Sequence, residues 1–349
     1  MPESRRSLLL AVAAGAFVLA TAAAIAVVLG AFDSSSGRDR LPAAWQRGMN
    51  LTAFLPDAYS DPKATEAIAT AQRAGTDLVA LTPTYYMASA DSSEVIADPA
   101  KTPTDESILD AAAAAHAQGL RVAIKPHVDV LDGTFRGEIR PADRVGWFES
   151  YGELVDRLGA LAQRADADVF VVGTELTSME TDADAWRDLI SRARKHFDGE
   201  ITFAANWPEG AAGVAFWDRL DYIGIDAYMP LETRDTANPG VDALVRAWRD
   251  PIAQMRALHE KWDLPVLLTE LGYESRPGTA ARVDGEGVDD GAQANAYEAA
   301  FRALSPLPWM AGIWWWEWSA ERIGIGPGDP GFNPEGKEAE QVLRSWQAG

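Results

Sequence analysis

The chain has 349 residues, no cysteine and a formal net charge of −21. The lack of cysteine excludes a disulfide framework and thiolate chemistry. The acidic balance disfavours nucleic acid, anionic lipid and strongly acidic polysaccharides as partners, so no nucleic-acid partner is expected.

The N-terminal segment is strongly apolar. Residues Leu8–Phe32 carry no charge, and a helix of that length crosses a hydrocarbon core of roughly 30 Å. Arg5 and Arg6 precede it and favour an N-inside orientation, so we expect an extracytoplasmic protein that contacts the membrane through this helix. The alternative is a cleaved export signal, because Ser4–Leu9 resembles a twin-arginine signal. An anchor is favoured, since the apolar region of a signal peptide usually spans about 7–15 residues.

The anchor or export signal covers residues 1–32, and the hydrophilic stretch 33–41 that follows it predicts a linker. Residues 42–349 are long enough for one large domain. In that domain, short apolar runs alternate with amphipathic, alanine-rich segments, which is typical of parallel α/β architecture. The eight predicted strands are Gly48–Thr52, Leu78–Thr82, Arg121–His127, Val169–Thr174, Ile201–Asn206, Tyr222–Asp226, Val266–Thr269 and Ala311–Trp316. The predicted helices are Lys63–Ala74, Asp105–Gln118, Asp143–Arg164, Ala183–His196, a weakly marked Ala215–Arg219, Val241–Trp262, Gly291–Leu304 and Lys337–Trp346.

Eight strand–helix units predict a closed (β/α)8 TIM barrel. No glycine-rich GxGxxG turn follows the first strand, which disfavours a dinucleotide-binding sheet. Active sites of such barrels lie at the carboxyl ends of the strands, and polar and aromatic residues accumulate at these ends here. The candidates for substrate binding at the strand ends are Asn50, Tyr85, Lys125, His127, Asn206, Trp207, Asp226, Tyr228, Trp316 and Trp318.

Two glutamates at strand ends are the candidate catalytic residues. Glu175 follows the fourth predicted strand and Glu270 follows the seventh, and these strands face each other across a barrel mouth. Cleavage of a glycosidic bond needs a proton donor and a second carboxylate, and a carboxyl separation of about 5–5.5 Å gives retention through a covalent intermediate. Either glutamate alone could equally cap a helix or pair with a lysine, but two at facing strand ends favour catalysis.

The sequence resembles glycoside hydrolase family 113, whose members are chiefly β-1,4-mannanases of the clan A barrel type. The resemblance covers nearly all of the domain, and its most specific pieces are Val172–Leu176, Thr202–Trp207, Phe216–Tyr228, Thr269–Tyr273 and Gly328–Lys337.

The resemblance implies a retaining mechanism in which Glu175 is the acid/base and Glu270 the nucleophile. Many clan A relatives carry asparagine before the acid/base, where it contacts the sugar 2-hydroxyl. Thr174 stands at that position here, and Asn206 is the candidate replacement for the contact. Tyr228 is a candidate hydrogen-bond donor to the nucleophile, which must stay ionised.

The aromatic strand ends suggest platforms for sugar rings. Period-two alternation places Trp316 and Trp318 on one side of the eighth strand, with Trp315 and Glu317 on the other. The four histidines have no paired helical spacing, so neither a metal site nor a cofactor is expected.

We therefore expect a monomeric, retaining hydrolase of β-1,4-linked mannan, glucomannan or the corresponding oligosaccharides. Two alternatives remain open: an envelope-anchored enzyme that trims a polysaccharide made by the same cell, and a non-catalytic carbohydrate-binding barrel. The intact pair of glutamates disfavours the second.

Overall fold

The computed structural model describes residues 41–207, 209–234, 237, 239–283 and 285–347. The predicted anchor, 1–32, and the predicted linker up to residue 40 lie outside the described residues. Within the described ranges, no helix combines the length and the apolar character that crossing a bilayer requires.

Eight parallel strands close into a barrel, as the sequence predicts. They are β1 (Gln46–Thr52), β2 (Leu78–Thr82), β4 (Arg121–Ile124), β6 (Val169–Thr174), β7 (Glu200–Asn206), β8 (Ile223–Asp226), β9 (Val266–Leu271) and β10 (Met310–Ser319). Each pairs with its neighbours along the chain, and β1 closes the barrel against β10. The predicted fourth and seventh strands correspond to β6 and β9. Glu175 directly follows β6 and Glu270 lies in β9, and β7 and β8 separate these two strands in the barrel.

A second, two-stranded parallel sheet lies beyond the barrel and corrects one predicted strand. The predicted strand Arg121–His127 is interrupted, and its continuation, β5 (His127–Val130), pairs with β3 (Thr84–Met87). Pro126 and Pro83 lie at the two interruptions, and proline has no N–H to donate to a ladder.

The described part of the chain holds nine α-helices around the strands. They are α1 (Pro62–Arg73), α2 (Asp105–His116), α3 (Arg144–Arg164), α4 (Ala183–His196), α5 (Glu209–Gly213), α6 (Val241–Ala247), α7 (Arg249–Trp262), α8 (Asp290–Leu304) and α9 (Glu338–Gln347). Side chains of Asp61, Thr104 and Asp143 accept hydrogen bonds from the first turns of α1, α2 and α3, which fixes where these helices begin.

Two predicted helices differ from those observed. Val241–Trp262 is divided at Trp248 into α6 and α7. The weakly marked fifth helix is the short α5, followed by a turn of 3-10 helix at Trp217–Arg219 instead of a continuous helix over 215–219.

A tryptophan fills the inside of the barrel below the mouth. Trp314 on β10 is fully buried among small inward-facing residues such as Ala80 and Ala204, and its Nε1 donates to Gln46 Oε1 at 3.1 Å. A Cβ on Gly48 would lie 1.9 Å from the Trp314 ring, so only glycine fits at that position. The barrel is therefore closed below, and a substrate can approach only from the carboxyl ends of the strands.

Candidate active site

Glu175 lies at the carboxyl end of β6 in an unusual backbone conformation. Its φ is +54°, a left-handed value that costs a non-glycine residue of order 1–3 kcal/mol. Its backbone N–H donates to Ala204 O on β7 at 2.8 Å, and its carboxyl group is largely buried. Strain of this kind persists where the surroundings enforce it, and it is frequent at functional sites.

An arginine from a neighbouring loop contacts this carboxyl group. Arg136 donates from Nη1 to Glu175 Oε2 at 2.9 Å and from Nη2 to Asp129 Oδ1 at 2.5 Å. Its Nε donates to Val128 O at 2.9 Å. The guanidinium is therefore fixed by three acceptors, with its charge divided between two carboxyl groups.

Glu270, near the end of β9, is surrounded by hydrogen-bond donors. Tyr228 donates its hydroxyl to Glu270 Oε2 at 2.7 Å. The other oxygen, Oε1, accepts from Lys125 Nζ and lies 3.2 Å from His127 Nε2. Three side chains from three different loops or strands thus stabilise the ionised form of one buried carboxylate.

Beneath Glu270, Lys125 also contacts a second acid. Its Nζ lies 3.4 Å from Asp226 Oδ2, and both side chains are fully buried. Asp226 Oδ1 accepts from Thr269 Oγ1 at 2.8 Å. The ammonium group of Lys125 therefore faces two buried carboxyl groups, those of Asp226 and Glu270. The negative charge is more stable on Glu270, because Glu270 has more hydrogen-bond donors around it.

The pKa values of the two glutamates move in opposite directions. Burial and the negative charge of Glu270 raise the pKa of Glu175, although Arg136 opposes the shift. Burial would likewise raise the pKa of Glu270, but Lys125 and the hydrogen bond from His127 outweigh it and hold that pKa well below its usual range. Burial and the charge of Glu270 also raise the pKa of Asp226. The two carboxyl groups therefore differ in proton affinity, and the proton is favoured on Glu175 and the negative charge on Glu270.

An aromatic wall lies beside Glu270. Trp316 stacks on His127 with ring centroids 5.5 Å apart and an interplanar angle of 8°. Burial and the positive charge of Lys125 lower the pKa of His127 to about 4, so the imidazole is neutral above that pH. Lys125 Nζ lies 3.1 Å from the same Nε2, and the Nε2–H tautomer of the neutral ring is the one that donates to Glu270 Oε1.

Asn50 on β1 contacts backbone in this structure. Its Nδ2 donates to Thr269 O at 3.1 Å and lies 3.3–3.4 Å from the carbonyls of Trp315 and Trp314. Because Thr269 directly precedes Glu270, this fully buried amide ties β1 to the strand end that carries the carboxylate.

The last residues of β7 complete the mouth. Asn206 is half-buried and pairs in register with Asp226 on β8, while Trp207 is buried at the next position. The strand ends therefore bring together Glu175, Glu270, Lys125, His127, Asp226, Tyr228 and Trp316, with Asn50, Asn206 and Trp207 beside them.

Two predicted substrate-binding residues are not part of this cluster. Trp318 is fully buried, and its Nε1 donates to Thr70 Oγ1 on α1 at 3.0 Å, outside the barrel. The register of β10 against β1 shifts between Trp315 and Trp318, and such a bulge breaks the alternation of faces on which the expectation rested. Tyr85 is also buried, with the guanidinium of Arg157 on α3 lying 5.2 Å from its ring centroid.

Two residues near the carboxyl groups were missed. Arg136 lies in the loop after β5, away from any predicted strand end, and no sequence signal marked it. Alternation placed Glu317 on the side of the strand opposite Trp316 and Trp318, yet it lies close enough to Glu270 for the charge of Glu270 to shift its pKa. Burial, with a further contribution from Glu270, raises the pKa of Glu317 to about 7.

Within the described ranges, no group of three or more His, Asp or Glu side chains is arranged to hold a metal ion. The site does bring together carboxyl groups with unequal proton affinities.

Comparisons with known proteins identify the family and similar structures. The sequence model of glycoside hydrolase family 113 matches residues 54–328, whereas no curated protein sequence matches significantly. A complex of a family 113 β-1,4-mannanase is similar in structure, with a TM-score of 0.80, 23% identity and coverage of 87% of this chain and 99% of the other. A family 113 β-mannanase from Alicyclobacillus acidocaldarius has a TM-score of 0.78, 29% identity and coverage of 90% and 99%. A β-glucuronidase from Ruminococcus gnavus is more distant, with a TM-score of 0.59, 11% identity and coverage of 88% and 52%.

Proposed function

The chain belongs to glycoside hydrolase family 113, and from this premise we propose that it hydrolyses β-1,4-linked mannan or glucomannan with retention of configuration. Glu270 is the nucleophile and Glu175 the general acid and base. The observation that carries the proposal is the unequal environment of the two carboxyl groups, with three donors on Glu270 and a raised pKa on Glu175.

In the first step, Glu270 attacks the anomeric carbon while Glu175 donates its proton to the glycosidic oxygen. The bond between the anomeric carbon and that oxygen breaks, the leaving sugar departs with a new hydroxyl group, and a glycosyl ester forms on Glu270. Tyr228 and Lys125 hold the carboxylate oxygens in place for this attack.

In the second step, Glu175 acts as a base. The ester has removed the negative charge of Glu270, which had raised the pKa of Glu175, whereas the positive charge of Arg136 remains and favours the ionised form. Glu175 takes a proton from water, the oxygen of that water attacks the anomeric carbon, and Glu270 leaves as a carboxylate. Two inversions give net retention. The required separation of about 5–5.5 Å between the carboxyl groups stays a prediction.

The substrate is assigned from the family and from similar β-mannanase structures. Mannan and glucomannan are uncharged, so a strongly acidic protein does not repel them. We also propose that the domain acts outside the cytoplasm, because Arg5, Arg6 and the uncharged segment Leu8–Phe32 have the pattern of an N-terminal anchor or export signal.

Two measurements on the full-length protein test the proposal. Hydrolysis should be compared on mannan, glucomannan, cellulose and xylan oligosaccharides, with the first two expected to be cleaved and the last two not. The first product should then be followed by NMR, where the β-anomer is expected before mutarotation. Early formation of the α-anomer would show inversion and reject the assigned role of Glu270.

A further inference from the structure

We propose that Phe135 is the platform on which the leaving-group sugar stacks, on the far side of the scissile bond from Glu270. This inference rests on the proposed function, because it uses Glu175 as the general acid. It gives the enzyme a sugar-binding position on each side of the bond that is cleaved.

Phe135 is an exposed aromatic residue at the barrel mouth. It lies in the loop between β5 and α3, and 42% of its surface is accessible to solvent. Covering such a ring with a ligand removes apolar surface from water, which favours binding. The carbon-bound face of a pyranose ring is an apolar surface of matching size.

The ring of Phe135 lies close to Glu175. A Cβ on Gly137 would lie 2.5 Å from Phe135 Cε1 and 3.1 Å from the backbone oxygen of Glu175. The phenyl ring therefore covers Gly137, which itself contacts the backbone of the general acid. A larger residue at position 137 would displace the ring.

The loop is held rigidly enough to position a ring. Arg136, the next residue, is fixed by three hydrogen bonds to Val128, Asp129 and Glu175. The backbone N–H of Glu138 donates to Phe135 O at 2.9 Å and closes a turn of 3-10 helix. A loop that is already ordered loses little conformational entropy when a sugar binds.

The chemistry decides which sugar this ring contacts. A general acid must lie within hydrogen-bonding distance of the oxygen that it protonates, so the sugar attached through that oxygen extends along the Glu175 side. Trp316, by contrast, stacks on His127, which contacts Glu270, and it lies on the side of the sugar that becomes esterified. The two aromatic residues therefore belong to opposite sides of the scissile bond.

The test compares two substrates that share a mannobiosyl group and differ in the leaving group. Mannotetraose has a sugar to stack on Phe135, whereas β-mannobiosyl fluoride has none. In Phe135→Ala, kcat/KM for mannotetraose should fall by about ten-fold, and kcat/KM for the fluoride should be unchanged. Transfer of the mannobiosyl group from the fluoride to added mannobiose should fall in parallel, because the acceptor occupies the same position.

Phe135→Tyr should retain wild-type values on both substrates, because its ring can still stack. Trp309→Ala is the matched control, since Trp309 is a half-buried aromatic residue that directly precedes β10, at the opposite, amino end of the barrel; it should not discriminate between the substrates. An equal loss on both substrates in Phe135→Ala, no loss on mannotetraose, or the same selective loss in Trp309→Ala would overturn the inference. Failure of the wild-type enzyme on both substrates would instead reject the proposed function itself.

Discussion

The two ends of the barrel both carry clusters of acidic and basic side chains, but they differ in their access to water. At the amino ends of the strands, Asp77 accepts from Arg47 at 3.0 Å and from Arg121 at 2.9 Å, with 25–38% of each side chain exposed. At the carboxyl ends, Lys125 contacts Asp226 and Glu270, and these side chains are almost completely buried.

The comparison shows that burial decides whether a cluster of acidic and basic side chains only stabilises the fold or has shifted pKa values. Water screens the charges around Asp77, so each ion pair there contributes little and serves stability alone. At the mouth, each buried group depends on its neighbours for charge compensation, and the pKa values of Asp226 and Glu270 shift in opposite directions. Perturbed carboxyl groups of this kind are typical of catalytic sites.

The largest effect is expected at Glu270. Glu270→Gln keeps the shape of the side chain but removes the nucleophile, so kcat should fall by about four orders of magnitude or more. Circular dichroism should show an unchanged fold. Substantial turnover by this variant would remove the functional distinction between the two ends.

Replacement of the general acid should depend on the leaving group. Glu175→Gln should lower kcat/KM for mannotetraose by about 10²–10⁴-fold, with a much smaller loss for a dinitrophenyl β-mannobioside, whose leaving group needs no proton. A similar loss on both substrates would assign Glu175 to positioning instead of proton transfer.

The pH dependence follows from the directions of the two shifts. Because the pKa of Glu175 is raised, the proposed general acid should stay protonated to a higher pH than an ordinary glutamate, and kcat/KM for mannotetraose should fall as the pH rises through that raised pKa. Because the pKa of Glu270 is lowered, the nucleophile should stay ionised in mildly acidic solution.

A second carboxyl group near the site makes a control necessary. Burial raises the pKa of Glu317 to about 7, so its ionisation would produce the same decline of kcat/KM at alkaline pH. Glu317→Gln is therefore the control, and loss of the decline in that variant would contradict the assignment to Glu175.

A smaller effect is expected for the phenol that contacts the nucleophile. Tyr228→Phe removes the 2.7 Å hydrogen bond to Glu270 Oε2, and a hydrogen bond to a charged group contributes about 1.5–3 kcal/mol. We expect kcat to fall by about 10–100-fold with little change in thermal stability. Unaltered steady-state kinetics would show that Lys125 and His127 suffice.

The smallest effect is expected at the amino ends. Asp77→Asn weakens both ion pairs of a partly exposed cluster, so the free energy of unfolding should fall by about 1 kcal/mol or less, as measured by urea denaturation. The values of kcat and KM should match those of the wild type. A catalytic defect in this variant would mean that the two ends are coupled.

Much of the fold could be predicted because its signals are local. The eight apolar runs fix the strands, and polar groups at their ends mark the mouth. Errors occurred where proline interrupts a predicted strand, at Pro126, and where a bulge in β10 places Trp318 against α1 instead of at the mouth. Arg136 could not be predicted, because its contact with Glu175 joins a loop residue to a strand end 39 positions away.

The sequence by itself determined the number and order of the strands and the position of two glutamates at their carboxyl ends, because hydrophobic periodicity and strand ends are properties of neighbouring residues. Only the tertiary structure decided which side chains surround each glutamate. Lys125, His127 and Tyr228 reach Glu270 from separate strands and loops. The burial that separates the proton affinities of Glu175 and Glu270 exists only when the barrel is closed.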